Sequence, residues 1–219
     1  LKEREKDMEH LTDLCLRRAR TVYESVTEIP KNSRIDLYDR RLQVIKMEWE
    51  IMEEDEARNA IYEYLNQVLS DLQEWKEEGR DDDEIDNKME TMLRTRNLIN
   101  VIAPIENCRV RVFKPRSESI VRNNQLDYAD WSEVSRWSGG EEYSIYITMF
   151  MIMISHIRAQ VEGRGDVWKA ILADNPFGKA SSSHILKTVF EVARANRIQL
   201  ICFTAHRQDN ILKEFPVVY

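Results

Sequence analysis

The sequence predicts an α/β domain that follows a helical arm, and three observations support this fold class. Residues 1–103 are crowded with charge and repeat their apolar residues at helical spacing. Two predominantly apolar segments, 168–173 and 198–204, flank a helical segment at 183–196. Apolar strands joined through a helix are typical of a buried parallel pair with a right-handed crossover. The pattern changes from one half of the chain to the other at Pro104.

Length and composition limit the classes of protein to which this chain can belong. With 219 residues, the chain can form one or two domains with a substantial core. A formal net charge of −7 excludes a globally basic nucleic-acid binder but leaves room for a local basic patch. The three cysteines are odd in number and widely scattered, which predicts neither disulfides nor structural zinc and favours the reducing cytoplasm. The chain begins with Leu1 rather than Met, and we expect it to be part of a longer protein.

No membrane segment is expected. No signal peptide is recognisable, and the longest apolar stretch, 145–154, is too short to span a bilayer. We therefore expect a soluble protein.

Three helices are predicted in the first half. The first should end before Pro30, because the residue before a proline disfavours helical backbone. Apolar residues such as Leu42 and Ile45 recur every three or four positions in the second, and Pro104 stops the third. Narrow apolar stripes on charged helices fit a coiled-coil arm or stalk root, and a small helical bundle fits them equally well. The predicted helices cover residues 1–29, 36–76 and 83–103.

The second half, residues 104–219, should mix strands and helices. A helix is expected just after Gly140, because Glu141 and Glu142 would then complement the positive end of its dipole. The other predicted elements before residue 168 are a strand at 108–113, a partner strand starting at 120–121, a loop at 123–137 and a buried apolar segment over 143–157.

The string Ser138-Gly139-Gly140-Glu141 is a candidate phosphate site. A glycine turn that opens a helix offers backbone N–H groups and a favourable dipole to a phosphate, and the Ser138 hydroxyl adds a donor. The same residues also suit an ordinary capped helix, which is the more frequent use of this pattern by itself.

Each of the two apolar strands near the C-terminus is followed by a residue capable of catalysis. Asp174 ends the first, and His206 follows the second. Because the carboxyl ends of parallel strands meet at one edge of a sheet, Asp174 and His206 should lie close together. An aspartate there can hold Mg²⁺ beside phosphates, and a histidine can bond a phosphate or orient water. His10, His156 and His184 lack such a setting.

In this order and spacing, the motifs resemble the C-terminal head lobe of the SMC-like ABC ATPases, a family that includes the SMC, MukB and RecN types. Asp174 ends the segment that matches the Walker B strand, 170–174, and His206 matches the switch histidine. Asn175 follows the Walker B aspartate. Ser138, Gly139, Gly140 and Glu141 match the signature motif, and the D-loop is matched by Gly178, Lys179, Ala180 and Ser181.

The resemblance implies a head that works only when assembled. The chain contains no Gly-x-x-x-x-Gly-Lys-Ser/Thr loop, so an N-terminal Walker A lobe of the same protein would supply most phosphate contacts. Two heads would then enclose two ATP molecules with Mg²⁺, the signature of one head contacting the nucleotide of the other. DNA and kleisin-like accessory subunits are the further partners implied, in a cytoplasmic, nucleoid-associated setting, and no membrane is implied.

Asn175 departs from the family pattern, which has a glutamate general base at this position. An amide can position water but does not accept its proton at neutral pH. Loss of a general base costs roughly a hundred- to ten-thousand-fold in rate. Three explanations of Asn175 compete: a naturally slow ATPase, a different base such as His206, and an engineered trap, of which a natural sequence is favoured. The rival functions are an ATP-gated clamp with little hydrolysis and a non-enzymatic coiled-coil interaction module. Ser181 also stands where the D-loop usually has an acid.

Basic residues cluster ahead of the signature string. They suit a stripe that contacts DNA phosphates, and they suit a solvated, ion-paired hairpin equally well. The cluster consists of Arg109, Arg111, Lys114, Arg116 and Arg122.

Overall fold

The computed structural model describes residues 2–123, 126–161, 168–174 and 182–203, together with 212–213, 215 and 217–218. The chain divides into two compact units, which we call the helical unit and the α/β unit. The helical unit consists of Leu1–Thr27 and Glu48–Cys108, and the α/β unit of Glu28–Met47 and Arg109–Tyr219. Residues 28–47, which the sequence placed in the arm, thus belong to the α/β unit.

The two units differ in charge. The helical unit has 12 Lys and Arg against 24 Asp and Glu, which gives −12. The α/β unit has 20 Lys and Arg against 15 Asp and Glu, which gives +5. The net negative charge of the whole chain therefore comes entirely from the helical unit.

The helical unit contains four helices. They are α1 (Lys2–Glu28), α2 (Glu54–Glu77), α3 (Asp82–Met92) and α4 (Thr95–Ile102). Helix α1 ends two residues before Pro30, as predicted. The predicted third helix is two helices, because the chain leaves helical geometry at Leu93 and Arg94.

Helices α1, α2 and α4 share one core. Tyr23 donates a hydrogen bond of 2.6 Å from its hydroxyl to the Trp49 carbonyl, and Tyr64 donates one of 2.6 Å to the Met92 carbonyl. Helix α3 buries no residue. This packing is that of a small helical bundle, one of the two arrangements that the sequence left open; a coiled-coil stalk remains a prediction. The buried core residues are Cys15, Leu16, Ala19, Ala57, Ile61, Leu65, Leu98, Ile99, Ile102 and Ala103.

The prediction of helix over 36–76 is wrong for its first part. The chain there forms β1 (Arg34–Leu37), β2 (Arg40–Gln43) and β3 (Ile45–Glu48). Strands β1 and β2 form an antiparallel hairpin with buried and exposed residues alternating along β1. Tyr38 and Asp39 connect them with φ of 52° and 62°, the positive values that a type I′ turn requires. The three-residue step from Leu42 to Ile45 imitated a helical repeat, but these residues belong to different strands.

After the helical unit, the chain re-enters the α/β unit through β4 (Arg109–Phe113), a predicted strand. The predicted partner strand at 120–121 is wrong, since these residues lie in α5 (Glu118–Arg122). The predicted loop over 123–137 instead includes β5 (Tyr128–Asp130) and a 3₁₀ helix (Trp131–Arg136). Strand β5 pairs antiparallel with β4, in a sheet ordered β3-β4-β5.

The rest of the α/β unit contains α6 (Gly139–Val161), β6 (Lys169–Asp174), α7 (Ser183–Ala195) and β7 (Ile198–Phe203). Strands β6 and β7 pair in parallel, with Asp174 opposite Phe203. The predicted strand, helix and parallel strand are therefore confirmed. The chain is mixed α/β, as expected.

The expected burial of β6 and β7 holds for one face of their sheet only. Ile171 and Leu200 face the core, but Leu172 on the other face is 67% exposed and Phe203 is 57% exposed. Among the described residues, β6 and β7 form a two-stranded sheet and no layer covers this second face.

Helix α6 is apolar around most of its circumference. By length and composition it is the one described helix that could cross a membrane, although 44% of its most apolar window is buried inside the protein. One side packs in the core through residues such as Ile145 and Met151. The opposite side is exposed, so the prediction that 143–157 is buried holds for one side only. The exposed residues Tyr143, Tyr146, Phe150, Met153 and Ile157 form what we call the α6 stripe.

Candidate functional site

The candidate site begins at the N-terminus of α6, where Ser138 and Glu141 cap the helix reciprocally. The Ser138 N–H and hydroxyl donate hydrogen bonds of 3.1 and 2.8 Å to Oε2 of Glu141. In return, the Glu141 N–H donates a 3.4 Å bond to the Ser138 hydroxyl oxygen. This is the capping box that Ser-x-x-Glu favours. The ordinary use of the string, a capped helix, is therefore present, and Ser138 and Gly139 are also exposed to solvent.

Positive charge surrounds the Glu141 carboxylate. Lys114 Nζ lies 3.7 Å from Oε1 of Glu141, and both side chains are mostly buried, at 23% and 17% exposure. The Lys114 ammonium also lies over the Trp137 ring, 5.2 Å from its centre. Burial raises the pKa of Glu141, but the Ser138 hydrogen bonds, with Lys114 and Arg116, outweigh burial and hold the pKa below its ordinary value.

His184, in the first turn of α7, belongs to the same environment. Burial lowers the pKa of His184, while the charge of Glu141 raises it and that of Arg116 lowers it. These interactions show that the first turn of α7 lies within electrostatic range of the first turn of α6. His184 does not follow the end of an apolar strand, so the sequence pattern does not predict it as a site residue. The signal that could have found His184 is its position three residues after Ser181, the last residue of the D-loop string.

The basic residues before α6 are largely ion-paired. Arg116 forms an ion pair with Asp127. Arg122 lies 2.9 Å from Asp39 and 2.8 Å from Glu118. For Arg116, Arg122 and Lys114, the structure therefore has the ion-paired arrangement that was the alternative to a phosphate-contacting stripe.

Asp174 ends β6 at an exposed position opposite Phe203, the last residue of β7. The carboxyl ends of both strands are thus side by side, as the sequence predicted. Tyr143, in the second turn of α6, lies near Cys202 of β7, because burial first and then the neighbouring Cys202 thiol raise the pKa of the Tyr143 hydroxyl. Burial raises the pKa of the Cys202 thiol to about 11, so this cysteine is not a nucleophile at neutral pH.

The remaining predicted site residues lie outside the described residues. They are Asn175, Gly178, Lys179, Ala180, Ser181 and His206. In the part of the chain that is described, no three His, Cys, Asp or Glu side chains group as a metal site. Asp174, the one residue predicted to hold Mg²⁺, lies among the described residues at the end of β6.

Comparison with known proteins adds no family. No protein-family model matches the chain, and no curated protein matches it either.

Proposed function

We propose that this chain is the C-terminal lobe of an SMC-like ATPase head, which binds ATP with Mg²⁺ in a composite site and couples that binding to DNA handling. The observation that carries the proposal is the apolar surface that the described residues of the α/β unit leave exposed. It consists of the α6 stripe and the exposed face of β6 and β7.

The exposed sheet face supports assembly with a further lobe. Parallel sheets occur almost only with both faces covered. The exposed fractions on this face are nevertheless 67% for Leu172, 38% for Ile201 and 57% for Phe203. Full burial of such a side chain is worth about 1.5–3 kcal/mol, so roughly half of that for each residue is left for a partner to supply. An N-terminal Walker A lobe, which the resemblance implies, would cover this face.

The α6 stripe supports the same conclusion. Its residues, from Tyr143 to Ile157, follow one another at intervals of three and four. A helix that is apolar on both sides is normally enclosed by protein. Near its C-terminal end, α6 also lines a cleft of about 380 Å³ with the start of β6, and this cleft includes Ile157 and Trp168.

The described residues fit the chemistry of an ATP site. The donors of Ser138 already hold an anionic carboxylate, and a helix N-terminus favours negative charge, which supports a phosphate at this position. In the proposed site, Ser138, Gly139 and Gly140 would donate to a phosphate held by another head. The exposed oxygens of Asp174 suit Mg²⁺, which would neutralise phosphate charge when bound.

Two other proposed roles rest on the resemblance alone. His206 would contact the γ-phosphate, and Asn175 would position water without accepting its proton. Asn175 also favours a second candidate function: a clamp held shut by ATP, with little hydrolysis.

The test joins this chain to its N-terminal half and measures ATP turnover with and without DNA. A Ser138→Arg variant is compared with Ser70→Arg, which places the same side chain at an exposed position of α2. If DNA stimulates ATP turnover and only Ser138→Arg abolishes it, the proposed ATPase head is supported. ATP-dependent dimers without turnover, again lost only in Ser138→Arg, support the clamp. If neither activity is present, the proposal fails and a non-enzymatic interaction module remains.

A further inference from the structure

The donors that the proposed site would offer to a phosphate are already occupied. Both the N–H and the hydroxyl of Ser138 donate to the same oxygen of Glu141, at 3.1 and 2.8 Å. Each hydrogen can serve one strong acceptor at a time. A phosphate that binds Ser138 must therefore displace the Glu141 carboxylate, since two anions sharing these donors would repel each other.

A second acceptor site for Glu141 lies beside the first. Lys114 Nζ is 3.7 Å from Oε1, the oxygen that Ser138 does not use. At this distance the pair forms an ion pair without a close hydrogen bond, so a small movement of the carboxylate towards Lys114 would shorten it. Arg116 also contributes positive charge to the environment of Glu141, although it already pairs with Asp127.

We propose that Glu141 is a built-in competitor for the nucleotide at Ser138, and that Lys114 is the positioning residue that receives the carboxylate when a phosphate enters. This inference rests on the proposed function, because it concerns the same site. Glu141 keeps the donors of Ser138 satisfied and directed while the site is empty. Lys114 lowers the cost of exchanging that carboxylate for a phosphate.

Two opposite effects follow. In Glu141→Gln, the amide still completes a capping box, because glutamine also serves at this position, but the competing charge is gone. Affinity for a phosphate at Ser138 should rise about tenfold, which equals about 1.4 kcal/mol. In Lys114→Met, the displaced carboxylate loses its partner, and affinity should fall about tenfold. Lys114→Arg keeps the charge and should restore binding to within about threefold of the wild type.

The measurement is the concentration of a non-hydrolysable ATP analogue that half-saturates dimer formation by the assembled head, in analytical ultracentrifugation. Glu142→Gln is the matched control: Glu142 lies in the same first turn, but its carboxylate accepts a hydrogen bond from Tyr146 and none from Ser138. It should leave the half-saturating concentration unchanged. Circular dichroism of each variant checks that the fold is retained.

The double variant Lys114→Met with Glu141→Gln separates a positioning role from direct contact. With no carboxylate to receive, removing Lys114 should change affinity less than twofold. A full tenfold loss in this background would mean that Lys114 binds the nucleotide directly, and the inference would be overturned. Equal affinities of wild type, Glu141→Gln and Lys114→Met would also overturn it, while the proposed function would stand. If the wild-type head forms no dimers at any concentration of the analogue, the proposed function itself is wrong.

Discussion

Leu172 and Leu186 provide a direct test of whether the second face of the β6–β7 sheet is uncovered. Leu172 lies on that face with 67% exposure, whereas Leu186, on α7, is fully buried at 0%. Both are leucines of the same α/β unit, so the two changes to alanine remove the same atoms. We expect their costs in the chain alone to differ by several-fold.

The magnitudes follow from burial. Burying a whole leucine side chain is worth about 1.5–3 kcal/mol, so the third of Leu172 that is covered contributes about 0.5–1 kcal/mol. Leu186→Ala removes a fully buried side chain and leaves a cavity, which costs about 2–5 kcal/mol. In the chain joined to its N-terminal half, Leu172→Ala should approach the cost of Leu186→Ala, because the partner lobe would bury the other two thirds.

Both variants and the wild type are unfolded in urea, first as the chain alone and then joined to the N-terminal half. If the slope of the unfolding free energy against urea concentration is unchanged, the shift in the urea midpoint gives the change in the free energy of unfolding. A cost of about 2 kcal/mol or more for Leu172→Ala in the chain alone would refute the reasoning, because the face would then be covered within this chain. An unchanged cost on assembly would show that the partner lobe does not cover it.

Three further predictions concern the environment of the site and the fold that supports it. Replacing Asn196, whose buried amide donates to the carbonyl of Asn32 at 3.0 Å, by alanine should cost about 1–3 kcal/mol in urea unfolding, whereas the exposed Asn87→Ala should cost less than about 0.5 kcal/mol. If the two substitutions lower the free energy of unfolding equally, the buried hydrogen bond of Asn196 does not stabilise the fold. The depressed pKa of Glu141 stabilises the folded state above the ordinary carboxyl pKa of 4.5, and this contribution is lost as the pH falls through the lower folded pKa. Urea midpoints measured from about pH 6 down to about pH 3 should therefore fall less steeply in Glu141→Gln, and identical slopes would argue against the Ser138 bonds. Arg197 follows α7 with a φ of 53°, so Arg197→Gly should raise stability by about 0.5–1 kcal/mol, seen as a higher melting temperature; a lower one would show that the Arg197 side chain matters more than its backbone strain.

The sequence predicted those parts of the fold that depend on local signals. Pro30 marks the end of α1, and the capping string at Ser138 marks the start of α6. The apolar segments around α7 indicated a parallel strand pair, which is confirmed. In each case, the local backbone preference and the tertiary packing favour the same element, so a short window of sequence was sufficient.

The errors arose where packing decided the outcome. The β1–β2 hairpin was read as helix because Leu42 and Ile45 are three residues apart, and the turn between the strands has Tyr38 and Asp39 instead of glycine or asparagine. The exposure of Leu172 depends on how many strands and layers surround β6, which no local pattern encodes. The contact between Lys114 and Glu141 joins residues that are distant in sequence, so neither residue alone predicted it.

Strand β4 fixes the position from which Lys114 meets Glu141. The strand runs from Arg109 to Phe113 and pairs with β5, and Lys114 comes next in the chain. The Lys114 N–H donates a 2.8 Å hydrogen bond to the Asp127 carbonyl, so the backbone of this residue is held as a continuation of the sheet. The Lys114 ammonium is therefore a flexible group on a fixed base, and a change in its distance to Glu141 comes from rotation of its side chain.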